Sequence, residues 1–181
     1  MTAPRTFFAV TWLVFWVYWL LSAAGAKHGT GRGIANRLPF IVTGVLVIVL
    51  LRGARAGSLE VHDLVLRVIG LVLFLGGLGL AVWARVYLGR NWGMPMTRKD
   101  EPELVTSGPY RSVRHPIYTG LLLAMLGSAL ATTLYWLIAF VILGGYFIFS
   151  ARVEEKILGE EFPDAYPRYR AHTKMLIPFV L

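Results

Sequence analysis

The chain has 181 residues, of which 56% are hydrophobic and only 15% are charged. Soluble globular domains contain about 25% charged residues, so this composition excludes an ordinary soluble domain and indicates a protein embedded in a bilayer. The length fits one domain. The absence of cysteine excludes disulfides, a thiolate nucleophile and a cysteine metal site. The net charge of +8 is explained by lysines and arginines beside anionic lipid headgroups rather than by a nucleic-acid partner.

Three uncharged runs in the first half of the chain predict membrane-spanning helices, since a span needs about 20 mostly apolar residues. They are Phe7 to Ala24, Leu38 to Leu51 (extendable back to Ile34) and Val68 to Ala84. Arg67 and Arg85 flank the third run and are expected to extend toward the interface. Ala24-Gly25-Ala26 resembles a signal-peptide cleavage site, but the bulky aromatic residues before it favour a retained first span.

The fourth uncharged run, Ile117 to Ser150, is 34 residues long. One straight helix of that length would reach about 51 Å, which is too long for a single crossing. The run therefore predicts a tight helical hairpin that turns near Ala131-Thr132-Thr133. Tyr135 and Trp136 are then expected at the far interface, where aromatic side chains are favoured.

The predicted fold class is an all-α integral membrane protein of about five transmembrane helices. The whole chain, 1–181, is predicted to form one membrane domain, with the first three spans in 1–90 and the cofactor-binding half in 91–181. With five spans, 14 of the 18 lysines and arginines fall on the side that includes the loop 85–116 and the C-terminal tail. The positive-inside rule predicts that this side is cytoplasmic, in a multi-pass protein of a bacterial cytoplasmic membrane. Gly25 to Gly33 is expected to be a loop, and Gly76 to Gly79 helix-packing positions.

Polar residues are concentrated on both sides of the predicted hairpin. His115-Pro116 precedes its first helix, where proline suits the first turn and the helix terminus attracts anions. Glu154 and Glu155 follow its second helix. Because a hairpin returns to the same membrane face, His115 and Glu154 are expected to line one pocket. A carboxylate there suits an ammonium group. Interfacial anchoring and solvated helix ends are the alternative explanations of these residues when each is taken alone.

These two segments resemble the isoprenylcysteine carboxyl methyltransferase family and its bacterial relatives. The matching stretches are LVTSGPYRSVRHPIYTG (104–120) and EEKILGEEFPDAYPRYRAHTKMLIP (154–178). The resemblance implies a helical membrane enzyme that binds S-adenosylmethionine on its cytoplasmic side. The cofactor contacts that it implies are Leu104, Val105, Tyr110, His115, Pro116, Ile117, Tyr118 and Glu154. A family arginine that orients the substrate carboxylate corresponds to Ser150 here, which puts a prenylcysteine substrate in doubt.

The predicted reaction is direct methyl transfer to a lipophilic small molecule or a lipidated substrate that enters from the bilayer. Arg114 or Arg152 is a candidate for holding an anionic acceptor, and His115 or Glu155 for a general base where one is needed. The alternatives are a phospholipid or thiol methyltransferase, an NADPH-dependent sterol-type membrane reductase, and a non-enzymatic membrane protein such as a small transporter. Metal ligands are not evident at recognisable spacing.

Overall fold

The computed structural model describes residues 3–23, 29–30, 59–92, 98–99 and 103–177, together with the single residues 44, 48 and 52. The helices of these segments are α1 (Ala3–Ala23), α2 (Leu64–Leu88), α3 (Pro116–Ala131), α4 (Trp136–Glu161) and α5 (Ala165–His172). Two short 3-10 helices, Gly89–Asn91 and Gly108–Arg111, flank the loop between α2 and α3. The strands β1 (Gly29–Thr30) and β2 (Arg98–Lys99) form a two-residue antiparallel ladder in which Gly29 pairs with Lys99.

Three of these helices contain stretches that are long and apolar enough to cross a bilayer, namely Arg5–Ser22, Leu64–Leu88 and Trp136–Glu161. α3 is apolar but has only 16 residues, which corresponds to about 24 Å. The predicted all-α integral membrane fold is confirmed by these helices. The second predicted span, Leu38 to Leu51, lies outside the described residues apart from the isolated positions 44 and 48.

α1 and α2 run side by side in the same direction. At one end, Nη2 of Arg5 lies 2.6 Å from Oε1 of Glu60, just before α2 begins. At the other end, Nη2 of Arg85 donates a hydrogen bond of 2.6 Å to the carbonyl of Ser22. A parallel course of these two helices is what the five-span prediction requires.

α3 and α4 form the predicted hairpin, since α3 ends at Ala131 and α4 begins at Trp136. The turn is hydrogen-bonded to the segment before α2: the amide of Val61 donates to Thr132 and that of Leu134 donates to Leu59, at 3.2 and 3.0 Å. The hairpin turn and the N-terminal ends of α1 and α2 therefore share one face, the tip face. The start of α3 and the ends of α1, α2 and α4 share the opposite face, called here the site face.

A seam of glycines holds α2 against α3. Gly70 and Gly77 of α2 face Gly127 and Gly120 of α3. A Cβ atom at Gly77 would lie 2.5 Å from the amide nitrogen of Ala124 and from the carbonyl oxygen of Gly120. Small residues allow two helix backbones to approach this closely inside a membrane. The packing role expected at Gly76 to Gly79 is therefore right for Gly77.

At Gly76 and Gly79 a Cβ atom would meet nothing within 4 Å among the described residues, so these two glycines do not pack against another described helix. Both glycines lie on the exposed side of α2.

The core lies where the four long helices meet around Trp12 of α1. The Trp12 ring stacks on Trp136 at a centroid distance of 5.4 Å and packs against Phe74 at 5.8 Å. Its Nε1 donates a buried hydrogen bond of 3.1 Å to Oγ of Ser128 in α3. Trp136 begins α4 at the tip face, but only 3% of it is exposed. Its side chain thus packs inward against α1 rather than outward at the interface.

Candidate active site

The first turn of α3 is held in place by the chain that follows α5. The amide of Arg114 donates to the carbonyl of Lys174 at 2.8 Å, and that of His115 donates to Met175 at 3.1 Å. The hydroxyl of Thr119 donates to Leu176 at 2.6 Å. His115 is the N-cap residue of α3 and Pro116 is its first residue, as the position of the proline predicts. These contacts fix the backbone at the start of α3, from which the His115 side chain reaches the glutamates of α4.

His115 lies between two glutamates of α4. Its Nδ1 is 3.4 Å from Oε2 of Glu154, and its Nε2 is 3.5 Å from Oε1 of Glu155. The Nε2 atom is buried and makes no hydrogen bond of good geometry with the described residues. The hairpin thus brings His115 and Glu154 together at the site face, as the sequence predicts.

Tyr118 connects the same two helices one turn further into α3. Its hydroxyl donates a hydrogen bond of 2.6 Å to Oε1 of Glu154. Its ring stacks on His115 at 5.5 Å and on Phe147 of α4 at 4.7 Å. The Glu154 carboxylate is therefore oriented by α3, while 25% of its side chain stays exposed at the site face.

Besides its contact with His115, Glu155 takes part in a more buried ion-pair network. Nε of Arg114 lies 2.7 Å from its Oε1, with 8% and 7% of the two side chains exposed. Arg114 also donates to the carbonyl of Thr173, and Nε of Arg170 lies 3.7 Å from Oε2 of Glu155. This network ties α3, α4 and the tail after α5 together.

The two glutamates determine the protonation of His115. Burial by itself lowers the pKa of the imidazole, but hydrogen bonding and charge interaction with Glu154 and Glu155 outweigh burial and raise the pKa above its usual 6.5. The imidazole therefore favours the charged form more than a free histidine does.

Tyr110, in the 3-10 helix before α3, lies near enough to Glu154 to interact with its charge. Its hydroxyl is 3.4 Å from the carbonyl of Ala84 in α2, and its own carbonyl accepts a hydrogen bond of 2.6 Å from Tyr169. Burial raises the pKa of the Tyr110 phenol, and the negative charge of Glu154 raises it further. Burial also raises the pKa of Tyr169 to about 12. Both phenols therefore stay neutral at physiological pH.

The remaining predicted residues lie around this cluster. Pro116 is buried, while Leu104, Val105 and Ile117 are half-buried. Arg152 is exposed on α4. Gly108 adopts a positive φ of 59°, which favours glycine at the turn that the Gly108-Pro109 pair predicts.

Arg85, at the end of α2, packs against protein groups of the site face. Arg85 is only 6% exposed. Its guanidinium donates to the carbonyls of Ser22 and Gly89 and lies 4.5 Å from the centre of the Trp92 ring. The sequence shows an arginine at the end of an apolar run, and this pattern does not distinguish an inward side chain from an outward one.

Tyr146 of α4 was not singled out from the sequence, whereas Ser150 was noted there as the position that corresponds to the family's substrate-orienting arginine. Ser150 is fully buried, and its hydroxyl and that of Tyr146 have each other as a side-chain hydrogen-bond partner. With Glu154 they are spaced four residues apart, which places all three on one side of the helix. That spacing is the signal that could have identified Tyr146.

Comparison with known proteins places this site within a family. The chain is 33% identical over 114 residues to the cobalt-zinc-cadmium resistance protein CzcN of Cupriavidus metallidurans, covering 60% of this chain and 50% of that protein. It is 30% identical over 79 residues to the methanethiol S-methyltransferase of a Pseudomonas species, covering 44% of this chain and 30% of that protein. The chain thus spans half or less of the length of these two relatives. Residues 65–165 match the phospholipid methyltransferase family. This range includes the site from Leu104 to Glu155 and confirms the predicted membrane methyltransferase relationship: the chain belongs to the phospholipid methyltransferase family.

Proposed function

We propose that this protein transfers a methyl group from S-adenosylmethionine to a lipophilic acceptor that reaches the site from the bilayer. The observation that supports this most directly is the position of the Glu154 carboxylate beside the N-terminus of α3, inside the range that matches the family. An anionic side chain and a helix N-terminus next to each other suit a ligand with an ammonium group and a carboxylate.

The residues of the site fit the cofactor in chemical terms. Glu154 would bind the ammonium group, and the first turn of α3, at Pro116 and Ile117, would receive the carboxylate. His115 contacts Glu154 through its Nδ1 atom and would help to orient this carboxylate toward the ammonium group. Tyr110 and Tyr118 would contact the adenine, and Leu104 and Val105 would cover it. The cofactor, when bound, supplies an electrophilic methyl group on a sulfonium.

We assign the other candidates by their contacts. Arg114 and Glu155 bind each other and the tail after α5, which supports a positioning role for this pair rather than contact with the acceptor. Arg152 is exposed at the site face and stays the candidate for an anionic acceptor. The protein would thus act by orienting two bound molecules in a partly dehydrated site.

The acceptor class rests on the relatives. The family description names phospholipids, and one relative's name states a thiol, methanethiol, as its acceptor. The sequence resemblance implies a prenylcysteine acceptor. The family arginine that would orient the carboxylate of such an acceptor is replaced here by Ser150. A small thiol is therefore the second candidate beside a lipid acceptor.

We also propose that the site face is cytoplasmic. This face includes the loop before α3 and the tail after α4, which belong to the side that holds 14 of the 18 lysines and arginines. The cofactor would then enter from the cytoplasm and the acceptor from the membrane.

Isothermal titration calorimetry of the purified protein in mild detergent tests the cofactor. We expect micromolar binding of S-adenosylmethionine, and binding at least tenfold weaker in Glu154→Gln, because the variant loses the charge that pairs with the ammonium. Glu160→Gln, an exposed glutamate of the same helix, is the matched control and should bind like the wild type. Binding of NADPH instead of S-adenosylmethionine would replace the proposal with a membrane reductase. Binding of neither would remove the enzyme proposal.

A further inference from the structure

The 3-10 helix that carries Tyr110 is too short to hold its own position. It has four residues, Gly108–Arg111, and it begins at a glycine with a positive φ of 59°. Short 3-10 segments have poor hydrogen-bond geometry and depend on their surroundings. The place of the Tyr110 ring is therefore determined by contacts from other parts of the chain.

The hydrogen bonds of Tyr110 differ in length. Its amide donates to the carbonyl of Ser107 at 3.2 Å, within the same loop. Its hydroxyl lies 3.4 Å from the carbonyl of Ala84, which is long for an O–H···O hydrogen bond. Its carbonyl, by contrast, accepts a hydrogen bond of 2.6 Å from the hydroxyl of Tyr169, a residue 59 positions later. Among the described residues this is the shortest hydrogen bond of Tyr110, so Tyr169 is the contact that holds it most firmly.

Tyr169 is itself fixed in α5. Its carbonyl accepts a hydrogen bond of 2.8 Å from the hydroxyl of Thr173, one turn later, and the side chain of Thr173 is also a hydrogen-bond partner of its phenol. Its ring packs against the buried ring of Tyr166 at 6.2 Å. Tyr169 therefore presents its hydroxyl to the 3-10 helix from a defined position.

The chain that continues from α5 also holds the start of α3. The amide of Arg114 donates to the carbonyl of Lys174 at 2.8 Å. The amide of His115 donates to the carbonyl of Met175 at 3.1 Å. The stretch of chain that begins at Tyr169 thus contacts two separate parts of the proposed cofactor site, the 3-10 helix and the first turn of α3. It helps to set the position of one part relative to the other.

Building on the proposed function, in which Tyr110 contacts the adenine, we infer that Tyr169 is a positioning residue for the adenosine part of the cofactor. Its hydroxyl holds the Tyr110 carbonyl, and this contact keeps the Tyr110 ring where the adenine would lie. Without the hydroxyl, the carbonyl of a buried residue loses its donor, which is costly. The 3-10 helix would then shift toward another donor or toward water, and the ring would move with it.

The proposed ammonium position is oriented by other residues. Glu154 accepts the hydroxyl of Tyr118 at 2.6 Å and lies 3.4 Å from Nδ1 of His115. Both contacts come from the start of α3, and both remain when the Tyr169 hydroxyl is removed. The inference therefore predicts a selective loss, in which recognition of the adenosine group weakens while recognition of the ammonium group is retained.

Two ligands that share the adenosine group test this selectivity. The purified protein in mild detergent is titrated calorimetrically with S-adenosylmethionine, alone and in competition with methylthioadenosine, which lacks the ammonium and the carboxylate. In Tyr169→Phe we expect the Kd of both ligands to rise by the same factor, about fivefold, the loss of one hydrogen bond. In Glu154→Gln only the Kd of S-adenosylmethionine should rise.

Tyr166→Phe is the matched control, because it removes a phenol hydroxyl from the same helix. The Tyr166 side chain is buried, and its hydroxyl makes no hydrogen bond with the described residues, so both Kd values should stay at the wild-type level. The melting temperature of Tyr169→Phe should fall by only about 2–4 °C. In the double variant with Glu154→Gln, the effects on the Kd of S-adenosylmethionine should multiply, since the two substitutions act on separate parts of the ligand.

The results that overturn the inference are distinct from a failure of the proposed function. Unchanged Kd values in Tyr169→Phe, an equal rise in Tyr166→Phe, or a rise for S-adenosylmethionine alone would each reject the positioning role and leave the methyltransferase proposal intact. So would a collapse of the melting temperature in Tyr169→Phe, effects that do not multiply in the double variant, or failure of methylthioadenosine to compete in the wild type. A wild-type protein that does not bind S-adenosylmethionine would reject both.

Discussion

The hydroxyl of Tyr118 donates a hydrogen bond of 2.6 Å to Glu154, a residue 36 positions later in the chain. This contact joins the first turn of α3 to the last third of α4, where the hairpin closes at the site face. Because the bond fixes one oxygen of the carboxylate, the other oxygen is directed toward His115, 3.4 Å away. Tyr118 thus orients the group that we propose for the cofactor ammonium.

Removing that hydroxyl should weaken cofactor binding more than it weakens the fold. We expect Tyr118→Phe to raise the Kd for S-adenosylmethionine about tenfold, the loss of one charge-assisted hydrogen bond. The stacked ring on Phe147 is retained in this variant, so the melting temperature should change little. Calorimetric titration and a thermal melt on the same sample measure the two effects. An unchanged Kd would show that Glu154 needs no orientation by Tyr118.

The Arg114–Glu155 pair should matter chiefly for stability. Arg114→Met leaves the Glu155 carboxylate, 7% exposed, without its closest cation. Such a loss costs about 3 kcal/mol, or roughly 6–12 °C in a protein of this size. Thermal unfolding in detergent measures the shift. Arg111→Met, an exposed arginine three residues earlier, should melt like the wild type, and equal shifts in the two variants would contradict the pairing.

The glycine seam between α2 and α3 predicts opposite effects for neighbouring glycines. In Gly77→Ala the new methyl group would lie 2.5 Å from two backbone atoms of α3, and separating the helices should cost about 1–3 kcal/mol. In Gly76→Ala the methyl group meets no atom within 4 Å in the part of the chain that the structure describes. That variant should be neutral or gain up to about 1 kcal/mol from helix propensity. If the melting temperatures of both variants shifted in the same direction, the glycine seam between α2 and α3 would be contradicted.

The hairpin could be predicted from the sequence because it depends on length and charge alone. A run of 34 uncharged residues is too long for one crossing, so a turn near Ala131 follows without any knowledge of packing. The hairpin in turn brings His115 and Glu154 to one face. The hydropathy of a span is averaged over many residues, so a single polar or small residue changes it little. For this reason the spans that the structure describes could be identified from the sequence.

Side-chain direction could not be predicted in the same way. Gly76, Gly77 and Gly79 are equivalent in the sequence, and only the rotation of α2 against α3 selects Gly77. Arg85 turns inward because the carbonyls of Ser22 and Gly89 lie within its reach, a contact between distant parts of the chain.

The raised pKa of His115 predicts a stability that depends on pH. The groups that face this imidazole are Glu154 and Glu155 of α4, Tyr118 of α3 and, behind Glu155, Arg114. A group whose pKa is higher in the folded than in the unfolded protein contributes stability that is fully present below the unfolded pKa, about 6.5. That contribution is lost as the pH rises through the folded pKa. The melting temperature of the wild type should therefore exceed that of His115→Gln most at about pH 6, and the difference should shrink toward pH 9.

His62→Gln, a substitution of an exposed histidine, is the control and should follow the wild type throughout. If burial outweighed the two glutamates, the pKa would be lowered and the difference would instead grow with pH, so the sign of the slope shows which of the two effects controls the imidazole.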